Sequence, residues 1–274
     1  MTATTVTPIG LSPDLDIRGL RRFTTAVNDT LAVMARNIIA YRRVPQLLVF
    51  STVQPVVFVL LFRYVFGGAI SVPGVPYVDF LMPGIFVQTV TFGALNTAIG
   101  LATDLNQGLI ERFRSLPMAR SAVLAGRTLA DLVRNVFVVA LMFAVGFAVG
   151  WRVHTGLLPL IAAVLLILLF GYALSWIFAT VGLIVKDPET AQAAAFPILA
   201  PLVFASNAFV PVASMPDWLQ YWAEHQPVSV VITAVRDLTI GGATTYDLLL
   251  AIVWCVGILA VASPFAVRRY RRAA

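Results

Sequence analysis

Neutral polar side chains within long apolar stretches are the residues of this chain whose chemistry stands out. They are amides and hydroxyls, at Gln54, Gln88, Thr89, Thr91, Asn96, Thr97, Ser206 and Asn207. Taken singly, each is typical of a hydrogen bond between two membrane helices, which is worth about 0.6 kcal/mol. Taken as a set, they would line a weakly polar path for an amphiphilic molecule. We assign Gln54, Gln88, Asn96 and Asn207 to that path.

Catalytic and nucleotide-binding motifs are absent from the sequence. It contains no GxxxxGK[ST] nucleotide-binding loop, no HExxH zinc motif and no GxSxG nucleophile motif. Cys255 is the only cysteine, and His154 and His225 are the only histidines, so no Cys/His spacing for a zinc site exists. We therefore expect neither an enzymatic activity nor a cofactor on this chain.

The acidic residues lie away from the centres of the apolar stretches. Asp79, Asp104, Asp131 and Asp247 are predicted at or near helix ends, and none of the 13 acids falls in the middle of a predicted span. An ion-driven carrier usually binds its coupling ion with an intramembrane carboxylate. The distribution of acids therefore argues against ion coupling.

Composition identifies the class of protein. Of the 274 residues, 59% are hydrophobic and 12% are charged, and the mean hydropathy is +0.89. Soluble domains average about 25% charged residues, so a chain this apolar could not cover its surface with polar groups. Disorder is excluded as well, because the chain is strongly apolar and its net charge of +6 is modest. The chain is predicted to be a polytopic membrane protein.

Six apolar stretches reach the roughly 20 residues that a helix needs to cross a bilayer core of about 30 Å. They are Leu47–Phe66, Phe80–Ala102, Leu129–Gly150, Leu157–Val185, Ala193–Val212 and Tyr246–Val267. Because backbone groups in lipid must satisfy their own hydrogen bonds, each stretch is predicted to be a helix. The predicted fold is all-α, with six transmembrane helices in residues 45–267 and a basic tail at residues 268–274.

Basic residues are distributed unevenly about these spans. Sixteen of the 19 lie before the first span, between the second and third, after the fourth or after the sixth, with Arg134, near the start of the third span, counted among them. Arg152 and Arg236 lie on the other side, and Arg63 lies near the outer end of the first span. The positive-inside rule then places both termini in the cytoplasm. The arginines flank spans instead of forming one stripe with interleaved aromatic residues. They indicate topology and contact with lipid headgroups, and we expect no nucleic-acid partner.

The segment before the first span is amphipathic. In residues 18–44, apolar side chains recur at spacings of three and four, at Leu20, Phe23, Val27, Leu31, Met34 and Ile38. This pattern predicts a helix lying on the inner leaflet, and a partner-facing or solvated helix is the alternative. Residues 1–17, which precede it, are predicted to be a disordered cytoplasmic tail.

A second amphipathic segment, residues 103–120, connects the second and third spans. Its apolar residues share one helical face, at Leu105, Leu109, Phe113 and Leu116. Glu111 and Arg112 point elsewhere, and Pro117 ends the pattern. The pattern alone predicts a short helix that either docks on another protein or rests on lipid.

The segment 213–245, between the fifth and sixth spans, is too long for a tight turn and too apolar for a free loop. Trp218 and Trp222 fall on one face of a short predicted helix that Pro227 ends, and a second short helix follows. Tryptophans at a membrane interface are ordinary anchors. Two short helices dipping into the outer leaflet would also be able to gate an exit path, and the pattern allows both interpretations.

Two stretches of sequence resemble a known family of transporters. ERFRSLPMAR lies between the second and third spans, and NAFVP with MPDWLQYWAEHQPVS follows the fifth span. Together with six spans and cytoplasmic termini, they resemble the type-2 ABC exporter permeases, above all those of the daunorubicin/doxorubicin-resistance kind. The resemblance extends over the chain from around Thr24.

The resemblance implies one subunit of a larger transporter. In that family the permease lacks its own ATPase, and two permeases, identical or paralogous, work with two separate ATP-binding subunits. ATP and Mg²⁺ would be bound by those partners. The substrate would be a hydrophobic or amphiphilic drug or lipid, moved outward across the bacterial inner membrane. An ion-driven secondary carrier or a non-transporting membrane scaffold is the alternative.

The resemblance also assigns roles to particular residues. A coupling helix, which contacts the ATP-binding subunit, maps onto Gly108, Leu109, Glu111, Arg112, Phe113 and Leu116. The amphipathic segment 18–44 matches the family's interfacial helix. The segment 213–245 matches its extracellular re-entrant helices, with Trp218, Trp222, His225, Pro227 and Arg236.

Overall fold

The structure, a computed structural model, describes residues 14–43, 45–70, 72, 74–109, 120–185, 187–242 and 245–273. Within these ranges the regular secondary structure is helical throughout. The α-helices are α1 (Asp14–Arg43), α2 (Pro45–Leu60), α3 (Tyr77–Gly93), α4 (Leu95–Asn106), α5 (Arg120–Val149), α6 (Leu157–Val185), α7 (Pro188–Phe204), α8 (Asp217–His225), α9 (Pro227–Ile240) and α10 (Thr245–Ala273). α1 begins before residue 18, the start that the amphipathic pattern predicts.

Among the described residues, four helical stretches are long and apolar enough to cross a membrane. The first, Tyr77–Asn106, comprises α3 and α4. The other three are Ser121–Val149 in α5, Leu157–Val185, which is α6, and Thr245–Arg272 in α10. These four stretches correspond to the second, third, fourth and sixth predicted spans. The chain is therefore a multi-pass membrane protein with an all-helical fold.

The first predicted span is α2 together with a six-residue π-helix, Leu61–Phe66, that continues it. Its apolar stretch, Ser51–Phe66, is shorter than the four above. Pro55 lies inside α2 and removes one helical hydrogen bond. Val53 and Val57 on this helix are exposed, whereas other side chains of the helix are buried against the bundle. α2 therefore borders the bundle along one side only.

The fifth predicted span is α7, which begins and ends earlier than the sequence pattern predicts. The Asp187 side chain accepts hydrogen bonds from the backbone N–H and the hydroxyl of Thr190 and so caps the helix at Pro188. α7 ends at Phe204 instead of the predicted Val212. The apolar run continues past the end of the helix because the turn that follows is itself buried in the bundle.

α3 lies at the centre of the bundle. Every residue from Tyr77 to Thr91 is buried, and α3 packs against α2, α5, α6, α7 and α9. A helix that is apolar on all sides is stable only when other elements or lipid surround it. α10, by contrast, packs mainly on α6 and leaves Val253, Val261 and Phe265 exposed. The exposed face of α10 is the one expected of a helix that contacts lipid.

Two glycines let their helices pack directly against the backbone of a neighbouring segment. A Cβ atom placed on Gly84 of α3 would lie 2.2 Å from the backbone oxygen of Ala208, in the turn after α7. A Cβ atom on Gly182 of α6 would lie 2.4 Å from the backbone oxygen of Ala98, in α4. Neither contact has room for a methyl group, so these two glycines fix how closely the segments pack.

α1 packs along α5 with a face that the sequence pattern does not single out. Val33 and Asn37 are buried there, and a Cβ atom on Gly126 of α5 would lie 2.7 Å from the Val33 Cβ. The predicted apolar stripe lies about a quarter turn away, with Val27 and Leu31 exposed. α1 thus contacts the bundle through one face and presents an apolar stripe beside it.

Candidate functional site

A polar cavity of about 270 Å³, the main cavity, lies between α2, α3, α4, α5 and α7. It opens at the surface of the bundle, where its lining residues Gln54 and Gln192 are exposed. Its polar lining residues are Ser51, Gln54, Gln88, Thr89, Asn96, Arg134, Asn135 and Gln192. Three of the four residues assigned to a polar path from the sequence therefore lie around one cavity. Phe92 and Ile99 contribute apolar wall. The cavity thus has a polar side and an apolar side, as an amphiphilic ligand requires.

The fourth path residue, Asn207, lies elsewhere, in the turn after α7. Its side-chain amide donates to the Thr233 hydroxyl, with an N–O distance of 2.8 Å, and it borders a second cavity of about 230 Å³ beside α9. The sequence pattern predicts Asn207 within the fifth span because the apolar run continues to Val212. Since the helix ends earlier, Asn207 belongs to a turn and not to the wall of the main cavity.

Arg134 lines the main cavity, although the count of flanking arginines groups it with the loop between the second and third spans. α5 begins at Arg120, well before the predicted start at Leu129. Arg134 therefore lies near the middle of the helix instead of near its start, and it is only 6% exposed. Its Nη2 donates to the backbone oxygen of Gly93 at 2.7 Å and to the Asn135 side-chain oxygen at 3.2 Å.

A charge cluster joins α1, α4 and α5 at one end of the bundle. Its members are Arg36, Tyr41, Thr97, Asp104, Arg127 and Asp131. Asp104, near the end of α4, accepts from Arg36 of α1 at 3.1 Å and from Arg127 of α5 at 3.3 Å. One carboxylate therefore holds two arginines, and with them three helices, together.

Asp131 is the second carboxylate of the charge cluster. It lies well inside α5 and is only 1% exposed, so the expectation that it lies near a helix end is wrong, because α5 begins earlier than predicted. Its Oδ1 accepts from the Tyr41 hydroxyl and its Oδ2 from the Thr97 hydroxyl, both at 2.6 Å. Each oxygen of this carboxylate therefore already accepts a hydrogen bond from within the protein.

Tyr41 of α1 stays protonated within the charge cluster. Burial, together with the neighbouring Asp131 carboxylate, raises the pKa of Tyr41 well above its ordinary value. The hydroxyl is therefore a hydrogen-bond donor at any physiological pH. Its bond to Asp131 fastens α1 to α5.

The predicted coupling residues lie only partly within the described residues. Glu111, Arg112, Phe113 and Leu116 fall outside them, and Gly108 and Leu109 are described. Gly108 has a φ of 67° and donates its N–H to the Leu105 backbone oxygen at 3.0 Å. A glycine in this left-handed conformation just after the last turn is a common helix end. α4 thus ends close to Asp104 of the charge cluster.

At the other end of the bundle, Arg236 of α9 joins three segments. Its guanidinium donates to the Phe80 backbone oxygen at 3.1 and 3.2 Å and to the Asn207 backbone oxygen at 2.9 Å. It also lies 3.7 Å from the centre of the Phe80 ring, within the range of a cation–π interaction. Arg236 thus holds α9 against the start of α3 and the turn after α7.

The two short helices between α7 and α10 have different surroundings. α9, which begins at Pro227, is buried along most of its length. α8 presents aromatic side chains outward, with Trp218 74% exposed and Trp222 47% exposed. The ring of His225, at the end of α8, lies 4.6 Å from the ring of Tyr221. α9 is therefore part of the bundle, whereas the outer face of α8 suits a membrane interface.

The loop between α5 and α6 is fastened at the same end as Arg236. Asp79 lies in the first turn of α3, and its Oδ2 is 2.8 Å from His154 Nε2. Its Oδ1 accepts a hydrogen bond from the Arg152 backbone N–H at 3.0 Å. The backbone N–H of His154 donates to the Thr239 oxygen of α9 at 2.9 Å. This pairing joins residues far apart in the chain, so no local sequence pattern predicts it.

Changing Asp237 to Asn is expected to stabilise the protein at neutral pH and to change little at pH 4. Burial, reinforced by Asp247, raises the pKa of Asp237 to about 6. An aspartate in the unfolded chain has a pKa of about 3.9. The folded state therefore binds more protons between these two values, and the free energy of unfolding falls as pH rises through that window.

The measurement for Asp237→Asn is the apparent melting temperature in detergent at pH 4.0 and pH 7.5. The matched control is Asp217→Asn, which removes an exposed carboxylate from the first turn of α8, where it interacts favourably with the helix dipole. A change of equal size for Asp237→Asn at both pH values would contradict the assigned pKa.

The comparisons with known proteins agree with this architecture. A family model described as ABC-2 type transporter matches residues 28–240. The daunorubicin resistance ABC transporter permease protein DrrB1 of Streptomyces coeruleorubidus is 36% identical over 90% of this chain and 87% of the relative. The probable doxorubicin resistance ABC transporter permease protein DrrC of Mycobacterium tuberculosis is 31% identical over 81% of each. The putative transport permease ycf38 of Pyropia yezoensis is 25% identical over 77% of this chain and 74% of the relative.

The matched region contains both sequence stretches on which the resemblance rests. It also contains the main cavity and most of the three helices that carry the charge cluster. The resemblance inferred from the sequence is thereby confirmed. Relatives that are named permease proteins accord with a membrane subunit that carries no catalytic motif of its own. On these grounds the chain belongs to the ABC-2 type transporter family.

Proposed function

We propose that this chain is the permease subunit of an ATP-driven exporter and that the main cavity is part of its substrate path. The observation that supports this most is the gathering of Gln54, Gln88, Asn96 and Arg134 around one cavity in an apolar bundle. Polar groups at membrane depth are costly, and they commonly mark substrate or ion pathways. A cavity with both polar and apolar walls suits an amphiphilic drug or lipid.

Energy would come from a separate ATP-binding subunit, since this sequence contains no nucleotide-binding loop. We expect two permease copies, identical or paralogous, to work with two ATP-binding subunits, which would bind the ATP and the Mg²⁺. Both termini and the segment 103–120 would face the cytoplasm across a bacterial inner membrane, as the distribution of arginines indicates. The drug-resistance names of the relatives support export as the direction.

The coupling helix would transmit the closure of the ATP-binding subunits to two walls of the cavity at once. α4, which precedes the segment 103–120 and enters it, supplies Asn96 to the cavity, and α5, which follows, supplies Arg134. The ion pair between Asp104 and Arg127 makes these two helices move together. A displacement at the cytoplasmic end would therefore change the width of the cavity between α2 and α5.

α8 and α9 would lie at the extracellular side as re-entrant helices. Because Arg236 fixes α9 to α3 and to the turn after α7, α9 would form a fixed rim of the exit. The exposed Trp218 and Trp222 of α8 would anchor that rim in the outer leaflet. An ion-driven carrier is the weaker alternative, because the buried Asp131 carboxylate already accepts hydrogen bonds from Tyr41 and Thr97 and lies beside Arg127.

Purification of the tagged full chain from its native host in a mild detergent tests the subunit assignment. Mass spectrometry is expected to identify a stoichiometric partner that carries a GxxxxGK[ST] loop. Reproducible purification of the chain alone, even after cross-linking, would contradict the proposal and favour a carrier or a scaffold.

Changing Glu111 to Ala is expected to uncouple the permease from its ATP-binding subunit. Loss of one charge-assisted contact, worth about 1.5–3 kcal/mol, lowers affinity about tenfold or more. We therefore expect about a tenfold fall in the ATP-binding subunit retained per permease, with unchanged membrane insertion and yield. The matched control is Glu224→Ala, which removes an exposed acid on α8. Wild-type retention and wild-type ATP hydrolysis in Glu111→Ala would remove the coupling assignment.

A further inference from the structure

Two side chains that line the main cavity each carry a buried polar atom with no hydrogen-bond partner within the described part of the chain. These atoms are Oε1 of Gln88 and Nε of Arg134. Gln88 is 2% exposed and Arg134 is 6% exposed. Buried polar groups in folded proteins are almost always hydrogen-bonded. Because the Arg134 Nε is a donor, a ligand that completes it must supply an acceptor oxygen.

The charged side chains in and beside the cavity carry a net positive charge. Asp104 pairs with Arg36 and Arg127, and Asp131 lies 3.9 Å from the Nε of Arg127. Arg134, less than one turn after Asp131 on α5, forms no ion pair with any carboxylate of the described residues. Because an arginine side chain is always protonated, one uncompensated positive charge lines the cavity.

Arg134 is held in place by contacts that leave its Nε free. Nη2 donates to the Gly93 backbone oxygen and to Asn135. A Cβ atom on Gly93 would lie 3.4 Å from Nη2 and 2.9 Å from the Asn135 side-chain oxygen, so a larger residue here would displace the guanidinium. α3 gives way to α4 at Ala94, beside this contact. The positive group is therefore fixed at the junction of two helices that line the cavity.

We propose that the main cavity binds the oxyanion head group of an amphiphile, a carboxylate or a phosphate, and that Arg134 recognises it. The inference rests on the proposed function of this cavity as the substrate path. A guanidinium is the side chain best suited to carboxylate and phosphate, and Gln54 and Asn96 supply further amide donors. The adjoining hydrocarbon contacts the apolar wall at Phe92 and Ile99. A cationic head group would meet Arg134 and no carboxylate in the described lining, so it is disfavoured.

Photo-crosslinking of the purified full chain in phosphatidylcholine nanodiscs tests this assignment. The probes are a diazirine-labelled palmitic acid, its methyl ester and the diazirine-labelled amine of equal chain length. Mass spectrometry of peptides from residues 77–109 and 120–149 measures labelling at the cavity. We expect the acid to label these peptides about tenfold more than the ester or the amine, as for the loss of one charge-assisted hydrogen bond.

Variants locate the selectivity at one side chain. Arg134→Gln is expected to abolish the preference for the acid, and Arg134→Lys to retain part of it because the charge stays. The matched control Arg152→Gln removes an exposed arginine outside the cavity and is expected to keep the full preference. The comparison of acid with ester in the wild-type chain keeps the test decisive even where Arg134→Gln fails to fold.

The outcomes separate this inference from the proposed function. Equal labelling of the cavity by acid, ester and amine would overturn the head-group assignment and leave the substrate path standing. An unchanged preference in Arg134→Gln would overturn the role of Arg134. Labelling confined to lipid-facing peptides of α10, with none at the cavity, would overturn the substrate path itself.

Discussion

Changing Asp131 to Asn is expected to destabilise the protein by about 3–5 kcal/mol, the usual effect of removing one partner from a buried ion pair. The substitution keeps the size of the side chain and removes its charge, so Arg127 keeps only Asp104 as a buried counterion. It also disturbs the two hydrogen bonds from Tyr41 and Thr97. The link between α1 and α5 and the link between α4 and α5 weaken together.

The measurement for Asp131→Asn is thermal unfolding of the purified chain in detergent, followed by circular dichroism. We expect the apparent melting temperature to fall by roughly 10 °C. Asp217→Asn, at an exposed position on α8, serves as the charge-matched control and is expected to change it little. Adding Arg127→Met to Asp131→Asn is expected to destabilise by less than the sum of the two single changes, since both charges are then removed. A wild-type melting temperature in Asp131→Asn would show that the charge cluster contributes nothing to stability.

Changing Gly84 to Ala is expected to prevent α3 from packing on the turn after α7. The added Cβ would lie 2.2 Å from the backbone oxygen and 2.8 Å from the Cα of Ala208. Both neighbours are backbone atoms, which cannot rotate away as a side chain can. Overpacking of a core commonly costs about 1–3 kcal/mol, and we expect about 3 kcal/mol or more here. The loss is measured as the yield of monodisperse protein in detergent and as its melting temperature.

Two other glycines provide graded controls for Gly84→Ala. A Cβ on Gly146 would meet the mobile end of Met82, at 2.7 Å from its Cε, so Gly146→Ala is expected to be milder. Gly257 of α10 has no atom within 4 Å of an added Cβ. Gly257→Ala is therefore expected to leave stability unchanged or raise it by up to about 1 kcal/mol, the helix propensity difference. Equal losses in all three variants would refute the packing explanation.

The helices themselves could be predicted because apolar composition decides them. α6 has both of its predicted bounds, since the run from Leu157 to Val185 is continuous and flanked by polar residues. Gln54, Gln88 and Asn96 could be singled out because amides are unusual at membrane depth. The fact that they share one cavity depends on how α2, α3 and α4 pack, which no local pattern contains.

The charged part of the site could not be predicted for a related reason. Counting arginines by span treats each one as a flank, so Arg127 is assigned to a loop and Arg134 to the start of a span, although both lie well inside α5. Their placement is possible only because Asp104 and Asp131 are buried beside Arg127. Partners from α4 and α5 meet through tertiary packing, and the sequence spacing between them carries no signal of that meeting. The sequence pattern misplaces Asn207 as well, because a buried turn and a helix have the same apolar composition.

The charge cluster also bears on the order in which the protein enters its membrane during synthesis. A charged residue disfavours insertion of a helix by the translocon, by about 2.5–3.5 kcal/mol at the helix centre and less towards its ends, and α5 carries both Arg127 and Asp131 in its first half. Their partners on α1 and α4 precede α5 in the chain, so they have already been synthesised when α5 emerges from the ribosome. α5 can therefore leave the translocon against helices that supply a counterion for Arg127 and hydrogen-bond donors for Asp131. Because α1 and α4 precede α5 in the chain, the surface that binds the charged residues of α5 is made before α5 itself.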